Sequence, residues 1–387
     1  MKEFKNELCR LAFEAYDKIP TSIIPKDEWT CFSAFFVERE DSGIKCVSLA
    51  VGCKSLPSHV LSKDGSLLGD MHAEILAHRA LCRYLIRNRS LFQEKNWKIH
   101  MFISHYPCGG GTIPVYDKKE SKVARFDDKI YTGAKPIISN GTRENFNNQD
   151  YTLPRRKPGK GEPSLNMSCT DKIIKWIICG LQSSLVSTLS EFNHYIPLNS
   201  ITVIDPMNNE PTYLETLVKE RLIMYQNSYP EAFSVSRVPS IRIFNKEDLS
   251  TAFRLQVDKS SKKKFEAIIW SNENDCHDRK TYEVIVKGFK QGCSKKDLKK
   301  SGRSLYCRCL MLHELNDSCD SSMKFDIPEN LIGQEYTELK NRLLSKLNEE
   351  FQNRKKLFFE KTRWIRGSDY NDFIMNGGTI SKDKYQT

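Results

Sequence analysis

Apolar residues recur at helical spacing in four parts of the chain. Side chains three and four positions apart share one face of a helix, so this pattern predicts amphipathic helices with one face turned inward. The predicted helices cover residues 3–18, 72–91, 171–187 and 334–360. The last of these is the longest helical pattern in the chain.

Short apolar runs bounded by polar residues predict strands between these helices. Residues 29–37 and 45–51 flank the polar stretch Glu-Arg-Glu-Asp-Ser-Gly, which is typical of a β-hairpin. The other predicted strands cover residues 97–104, 202–204, 235–244, 265–270 and 282–286. The order of strands and helices predicts an α/β fold.

Composition excludes several classes of protein. With 387 residues and 39% hydrophobic residues, the chain can bury a sizeable core, which excludes wholesale disorder. No apolar run is long enough to span a membrane, and the N-terminus lacks the apolar segment of a secretory signal. The 13 cysteines are odd in number and irregularly spaced, so we expect an intracellular protein with reduced thiols, a few of them metal ligands.

The net charge of +11 indicates a polyanionic partner, either nucleic acid or a polyphosphate. Charge alone is equally consistent with an ordinary basic protein. Basic loops at 155–160, 259–264 and 295–303 are candidates for phosphate contacts, although each taken singly is typical of a solvated loop.

Three short motifs carry candidate chemistry. His72 and Glu74 open a predicted helix, and Cys108 follows a predicted strand within Tyr-Pro-Cys-Gly. Each motif is weak alone, but together they match the zinc nucleobase deaminase signature, in which His and Cys hold the metal and Glu moves protons. The next residues, 109–111, are all glycine, so they offer no third ligand. Cys169, at the start of another predicted helix, is the candidate replacement.

Three protein ligands leave the fourth position of a tetrahedral metal for water, which is typical of a catalytic site. Zinc lowers the pKa of its bound water from about 15.7 to about 7, and Glu74 is placed to take that proton. A purely structural zinc site is the alternative. It would need a fourth protein ligand, and the sequence shows none.

The motifs His72-Ala73-Glu74, Pro107-Cys108-Gly109 and Ser168-Cys169-Thr170-Asp171-Lys172 resemble the eukaryotic adenosine deaminases that act on RNA. The stretch from Lys157 to Gly161 is similar to the tRNA branch of that family. The resemblance implies a cytidine-deaminase-like α/β core, with a mixed sheet flanked by helices and a C-terminal helical extension. We expect a single deaminase domain at residues 1–376, and the composition of the tail at 377–387 predicts disorder.

The family encloses inositol hexakisphosphate, and the resemblance implies a pocket for it here. Matching positions are Ile75, Arg79, Lys172, Lys175, Ser184, Tyr336, Lys340, Phe351, Lys355, Trp364 and Asp372. Asp70 and Lys135 match residues that link the zinc site to this polyphosphate. For Lys340 and Lys355 a solvated helix face is the alternative. The chain departs from the family at His78, where a second Arg is common, and at Phe351, where Tyr is usual.

The resemblance also implies a substrate. Cys53 and Lys54 match a family loop beside the target nucleotide, although Cys53 replaces the usual Thr. The implied reaction is deamination of adenosine to inosine in tRNA, at the adenosine 3′ of the anticodon of alanine tRNA. No membrane or protein partner is implied, and the expected location is cytoplasm or nucleus.

Two alternatives remain open. One is an adenosine deaminase of mRNA or duplex RNA, which is disfavoured because the chain before residue 72 is too short for a separate duplex-binding module. The other is a catalytically inactive RNA-binding subunit, which would have no need of Glu74.

Overall fold

The computed structural model describes most of the chain. The described residues are 2–19, 28–29, 31–57, 60–61, 65–93, 96–112, 135–136, 154–157, 166–205, 212–245, 262–263, 266–272, 282–292, 302–318, 349–361 and 364. The predicted tail at 377–387 and the first part of the predicted helix at 334–360 lie outside them. In the described part, no helix is both long and apolar enough to cross a membrane.

An eight-stranded mixed sheet forms the centre of the fold. Its strands are β2 (Phe32–Arg39), β3 (Gly43–Val51), β6 (Trp97–Ile103), β9 (Ser200–Asp205), β10 (Ser240–Asn245), β12 (Ala267–Ser271), β13 (Tyr282–Val286) and β14 (Phe289–Lys290), in the spatial order β10-β9-β6-β2-β3-β12-β13-β14. The β10-β9 and β9-β6 pairs are parallel and the other pairs are antiparallel. The predicted hairpin is the β2-β3 pair.

Three small two-stranded pairings lie outside this sheet. They join β4 (Cys53–Ser55) to β5 (Asp70–His72), β7 (Lys135–Pro136) to β8 (Arg155–Arg156), and β1 (Glu28–Trp29) to β11 (Lys262–Lys263). The first two matter for the site, because β5 ends on His72 and β8 leads into Lys157.

Helices cover both faces of the sheet. They are α1 (Lys2–Asp17), α2 (Ala73–Arg87), α3 (Cys169–Cys179), α4 (Thr212–Ser228), α5 (Pro230–Phe233), α6 (Arg308–Ser318) and α7 (Glu349–Lys361). Helix α1 packs Leu8 and Phe13 against Phe32 and Phe102 on one face. Helices α2, α3 and α4 bury their apolar residues in the larger core on the other face. The predicted mixed sheet flanked by helices is therefore confirmed.

The structure corrects one helix prediction, and its described part contains three helices that were not predicted, α4, α5 and α6. Helix α3 was predicted to run to residue 187, but it ends at Cys179 because Gly180 adopts a φ of 107°, which a continuing helix does not allow. Helix α4 was not predicted. Its apolar residues are spread around the helix, with Leu217 buried and Ile223 and Met224 exposed, so it lacks a clean apolar stripe.

The C-terminal helix α7 docks onto the end of α3. The Arg354 guanidinium donates to the carbonyl oxygens of Ala232 (3.0 Å) and Cys179 (3.5 Å) and lies over the Tyr195 ring. Cys179 is the last residue of α3, where carbonyl groups lack partners within the helix. Arg354 of α7 thus supplies a hydrogen-bond donor to the C-terminus of α3, the helix that begins at the candidate metal ligand Cys169.

Candidate active site

The three predicted metal ligands meet in space although they lie far apart along the chain. His72 ends β5 and precedes α2, Cys108 follows β6, and Cys169 is the first residue of α3. The His72 Nδ1 atom lies 3.8 Å from Cys108 Sγ and 3.5 Å from Cys169 Sγ. The donor atoms all lie within 4.8 Å of one another, so this group could hold a metal ion.

Small residues and one hydroxyl bring the two cysteines together. The Thr170 hydroxyl lies 3.0 Å from the carbonyl oxygens of both Pro107 and Cys108, and it accepts a hydrogen bond from the Gly111 backbone. Gly109 has a φ of +109°, and a Cβ there would stand 2.2 Å from Ser168 Oγ. Only glycine therefore lets the loop after Cys108 lie against the start of α3.

Glu74 lies in the first turn of α2, close to the metal-ligand group. Its side chain is buried, with 5% of its surface exposed. Burial raises its pKa above the ordinary value, while His72 and Lys157 partly oppose that effect. A carboxyl group with a raised pKa beside a metal site can both accept and return a proton.

The two thiols differ in their readiness to ionise. The Cys169 thiol donates toward Cys108 and lowers the pKa of Cys108 well below its ordinary value, whereas burial raises the pKa of Cys169. The Lys157 ammonium favours the thiolate form at both cysteines. A negative sulfur is the form that binds a metal.

Asp70 joins two lysines directly behind His72. The Lys157 Nζ atom lies 2.7 Å from both carboxylate oxygens of Asp70, and Lys172 Nζ lies 2.6 Å from one of them. Burial opposes ionisation of Asp70, but the two ammonium groups outweigh it and hold the pKa of Asp70 well below its usual range. The backbone N–H of His72 also donates to Asp70 (3.2 Å).

Lys157 is a site residue that the sequence analysis missed. The run at 155–160 is predicted to be a basic loop that contacts phosphates or, taken singly, a solvated loop, yet Arg155, Arg156 and Lys157 are all buried. The role beside Asp70 was assigned to Lys135, whose backbone pairs with Arg156 in the β7-β8 pair and whose side chain lies outside the described residues. The only sequence signal for Lys157 was its place in the stretch that resembles the tRNA branch.

The predicted RNA contacts lie beside the metal-ligand group. Strand β4 pairs with β5 so that Cys53 is opposite His72 and Lys54 is opposite Met71. Cys53 is buried and Lys54 is half-buried. Gly52 precedes this pair, and its carbonyl oxygen accepts a hydrogen bond from Ala73, the first residue of α2.

The described residues predicted to bind a polyphosphate lie on α2, α3 and α7, except for Ser184 and Trp364, which follow α3 and α7. Lys175 Nζ lies 5.3 Å from the centre of the Trp364 ring, Lys355 donates to the Ser184 hydroxyl, and Arg79 donates to the Tyr306 carbonyl oxygen (3.4 Å). Ile75 and Phe351 are buried. Tyr336, Lys340 and Asp372 lie outside the described residues.

Several of these cations lie close enough to the same side chains, His78 and Cys179, to affect them electrostatically. Arg79, Lys172 and Lys175 all act electrostatically on His78, and Lys175 and Lys355 both act on Cys179. His78 is buried, stacks on Trp176 at 4.1 Å and donates to the Leu181 carbonyl oxygen. Burial lowers the pKa of His78 to about 3, so it is uncharged at neutral pH and does not replace the second Arg of the family.

Comparison with known proteins supports the resemblance. A family model described as "Adenosine-deaminase (editase) domain" matches residues 48–98 and 87–366. The chain is 28% identical to tRNA-specific adenosine deaminase 1 of Drosophila melanogaster, over 77% of each chain. It is 23% identical to tRNA-specific adenosine deaminase 1 of Schizosaccharomyces pombe, over 77% of this chain and 80% of the relative.

The chain is also similar to a larger protein. It is 26% identical to the double-stranded RNA-specific adenosine deaminase of Mus musculus, over 52% of this chain and 19% of the relative. The family match covers most of the chain and includes His72, Glu74, Cys108 and Cys169. The chain therefore belongs to the adenosine-deaminase (editase) family and is an enzyme that deaminates adenosine.

Proposed function

We propose that the protein converts adenosine to inosine in tRNA by zinc-dependent hydrolysis, at the adenosine 3′ of the anticodon of alanine tRNA. The observation that carries the proposal is the convergence of His72, Cys108 and Cys169 next to the buried carboxyl group of Glu74. Two relatives named as tRNA-specific match 77% of this chain, whereas a relative named as double-stranded RNA-specific matches 52%. This difference favours tRNA over duplex RNA as the substrate. The family match and the shared central sheet support one domain over residues 1–376.

The donor set fits zinc. One imidazole nitrogen and two thiolates are borderline to soft ligands, and three of them leave a position open for a water molecule. Asp70 pairs with Lys157 and accepts a hydrogen bond from the His72 backbone N–H. We expect this pair to orient the ligands. Zinc in such a site supplies Lewis acidity that makes water a nucleophile at neutral pH.

Glu74 handles the protons of the reaction. Water adds at C6 of adenine and ammonia leaves, so a proton must reach the ring nitrogen and another must reach the departing amine. The Glu74 carboxyl group is buried and shielded from bulk water, and its raised pKa suits it to accept a proton and return it within the site. We propose that Cys53 and Lys54 contact the RNA, and their pairing with His72 and Met71 in the β4-β5 pair supports this role.

We expect about one zinc ion per chain. Replacing Cys169 with serine should remove most of it, because the site loses one of three protein ligands. Cys179, a buried thiol at the other end of the same helix, is the matched control, and its replacement with serine should leave the zinc content unchanged. Elemental analysis of the purified proteins measures both. A wild-type protein that is active without metal would contradict the proposal.

The substrate is tested with synthetic RNA. Purified protein should convert the adenosine 3′ of the anticodon in an alanine tRNA transcript to inosine, read by sequencing as an adenosine-to-guanosine change. A transcript with uridine at that position is the matched control, because it cannot give this change, and a perfect RNA duplex is the competitor substrate. Conversion of the duplex alone would favour the duplex-RNA alternative. A folded, zinc-loaded protein that converts neither would favour the inactive RNA-binding subunit.

Inositol hexakisphosphate is the second proposed cofactor. Lys175 has no carboxylate contact among the described residues, and burial lowers its pKa to about 8. Burial also raises the pKa values of the nearby Cys82 and Cys179 thiols to about 11 and about 12, so these thiols carry no compensating charge at neutral pH. A cluster of half-buried cations is stabilised when anions neutralise it, and a polyphosphate supplies several at once.

A further inference from the structure

Helix α4 contributes a buried cation next to the third metal ligand. The Arg221 Nη1 atom donates to Asp171 Oδ1 at 2.6 Å, and the two side chains are only 6% and 3% exposed. Asp171 lies in the first turn of α3, two residues after Cys169. The ion pair thus joins α4 to the first turn of α3, the helix that begins with the candidate ligand Cys169.

The other carboxylate oxygen of Asp171 has different partners. Asp171 Oδ2 accepts from the Ser168 hydroxyl and from the Arg155 backbone N–H (2.8 Å). Ser168 is the N-cap of α3, and its hydroxyl oxygen accepts in turn from the Asp171 backbone N–H (3.2 Å). One carboxylate therefore fixes α4, the cap of α3 and the strand at Arg155.

Arg155 belongs to a short antiparallel pairing with the segment before Cys169. Ser168 N–H donates to the Arg155 carbonyl oxygen and Lys157 N–H donates to the Asn166 carbonyl oxygen, both at 2.7 Å. Lys157 therefore follows one arm of this pairing and Cys169 follows the other. A shift of the pairing would move the Cys169 sulfur relative to His72 and the Lys157 ammonium relative to Asp70.

We propose that Arg221 and Asp171 form a positioning pair that holds Cys169 and Lys157 in register for metal binding and deamination. Neither residue ligates the metal or is placed against the substrate. This inference rests on the proposed function, because it assumes a metal at His72, Cys108 and Cys169. A buried ion pair is weak support for stability in itself, since an apolar pair of the same volume is often as stable. This pair additionally fixes α4, the start of α3 and the strand at Arg155 relative to one another.

The test compares Arg221→Met with Arg83→Met. Arg83 is as buried as Arg221, with 4% of its side chain exposed, and it pairs with Glu314, which is 19% exposed, between α2 and α6; its Nε lies 2.9 Å from the carboxylate. Both variants lose a buried arginine, but only Arg221 acts on the metal-ligand segment. Each protein is loaded with zinc or with cobalt, and three quantities are measured: metal release to a chelator, the visible spectrum of the cobalt form, and kcat and KM.

We expect Arg221→Met to bind metal about 10–100 times more weakly than wild type, the range found when groups supporting metal ligands are removed, and therefore to release it faster to the chelator. Its cobalt–thiolate spectrum should change and kcat should fall, while KM for RNA stays the same. Arg83→Met should keep the wild-type release rate and spectrum even if it is less stable. Equal release rates and spectra in the two variants would overturn the positioning role.

A conservative variant keeps the test decisive if Arg221→Met does not fold. Arg221→Lys retains the charge but not the planar fork of donors, so its metal release should fall between wild type and Arg221→Met. Wild-type release and spectrum in a folded Arg221→Lys protein would then overturn the inference. A wild-type protein that binds neither zinc nor cobalt refutes the proposed function itself, a result obtained before any variant is made.

Discussion

Replacing Glu74 with glutamine should reduce deamination by about 10²–10⁴-fold while the fold and the zinc content stay intact. General acid–base catalysis contributes about 10²–10⁴-fold, and no second carboxyl group among the described residues is placed in the first turn of α2 to take over. Glutamine keeps the size of the buried side chain but cannot accept and return a proton. Single-turnover assays on alanine tRNA measure the loss, and elemental analysis measures the zinc.

A buried glutamate elsewhere provides the control for Glu74. Glu283 is 4% exposed, lies on β13 and accepts a hydrogen bond from the Ser304 hydroxyl, away from the metal-ligand group. Glu283→Gln should therefore reduce stability without a comparable loss of turnover. Near-normal turnover in Glu74→Gln would show that another group moves the protons and would refute the assigned role.

Replacing Lys172 and Lys175 together with methionine should make the protein insoluble or inactive. The lysines lie three positions apart on α3, so both ammonium groups reach the same side of the helix. Two charge-assisted contacts to a polyphosphate, each on the order of 1.5–3 kcal/mol, would be lost from a net stability of typically about 5–15 kcal/mol. Soluble yield, thermal unfolding and bound inositol phosphate are the measurements.

Lys172 also binds Asp70, so the single variant Lys175→Met separates the two effects. It leaves the Asp70 pair in place and should still lower the stability and the bound polyphosphate. The matched control is Lys219→Met with Lys356→Met, two lysines 52% and 72% exposed in helical ion pairs, where little change is expected. Soluble, active wild-type enzyme from cells unable to make inositol hexakisphosphate would refute the pocket.

The sequence alone predicted the candidate metal ligands and the proton-transfer residue, but not the residues that hold them in place. His72, Glu74, Cys108 and Cys169 were identified because metal ligands and a proton shuttle are restricted to few residue types at recognisable positions. Seven of the eight strands of the central sheet were likewise marked by short apolar runs, whereas the two-residue strand β14 was not predicted. These signals are local, so a single chain is enough to see them.

The supporting groups could not be predicted in this way. Lys157 and Arg221 become important only because the fold buries them against Asp70 and Asp171, which lie far away along the chain. A basic residue in a polar stretch gives no local sign of such a partner. Similarly, Arg221 lies on a helix whose exposed Ile223 and Met224 obscure the apolar face that would have revealed it.

The contact of Arg354 with the last turn of α3 has a consequence for biosynthesis. A chain emerging from the ribosome folds from its N-terminus. The donor to the Cys179 carbonyl oxygen, Arg354, is translated 175 residues after Cys179. Until α7 has been translated, the helix that begins at Cys169 lacks the group that covers its end. A chain that stops shortly before residue 349 should therefore leave the end of α3 uncovered, although all three metal ligands and Glu74 have already been made.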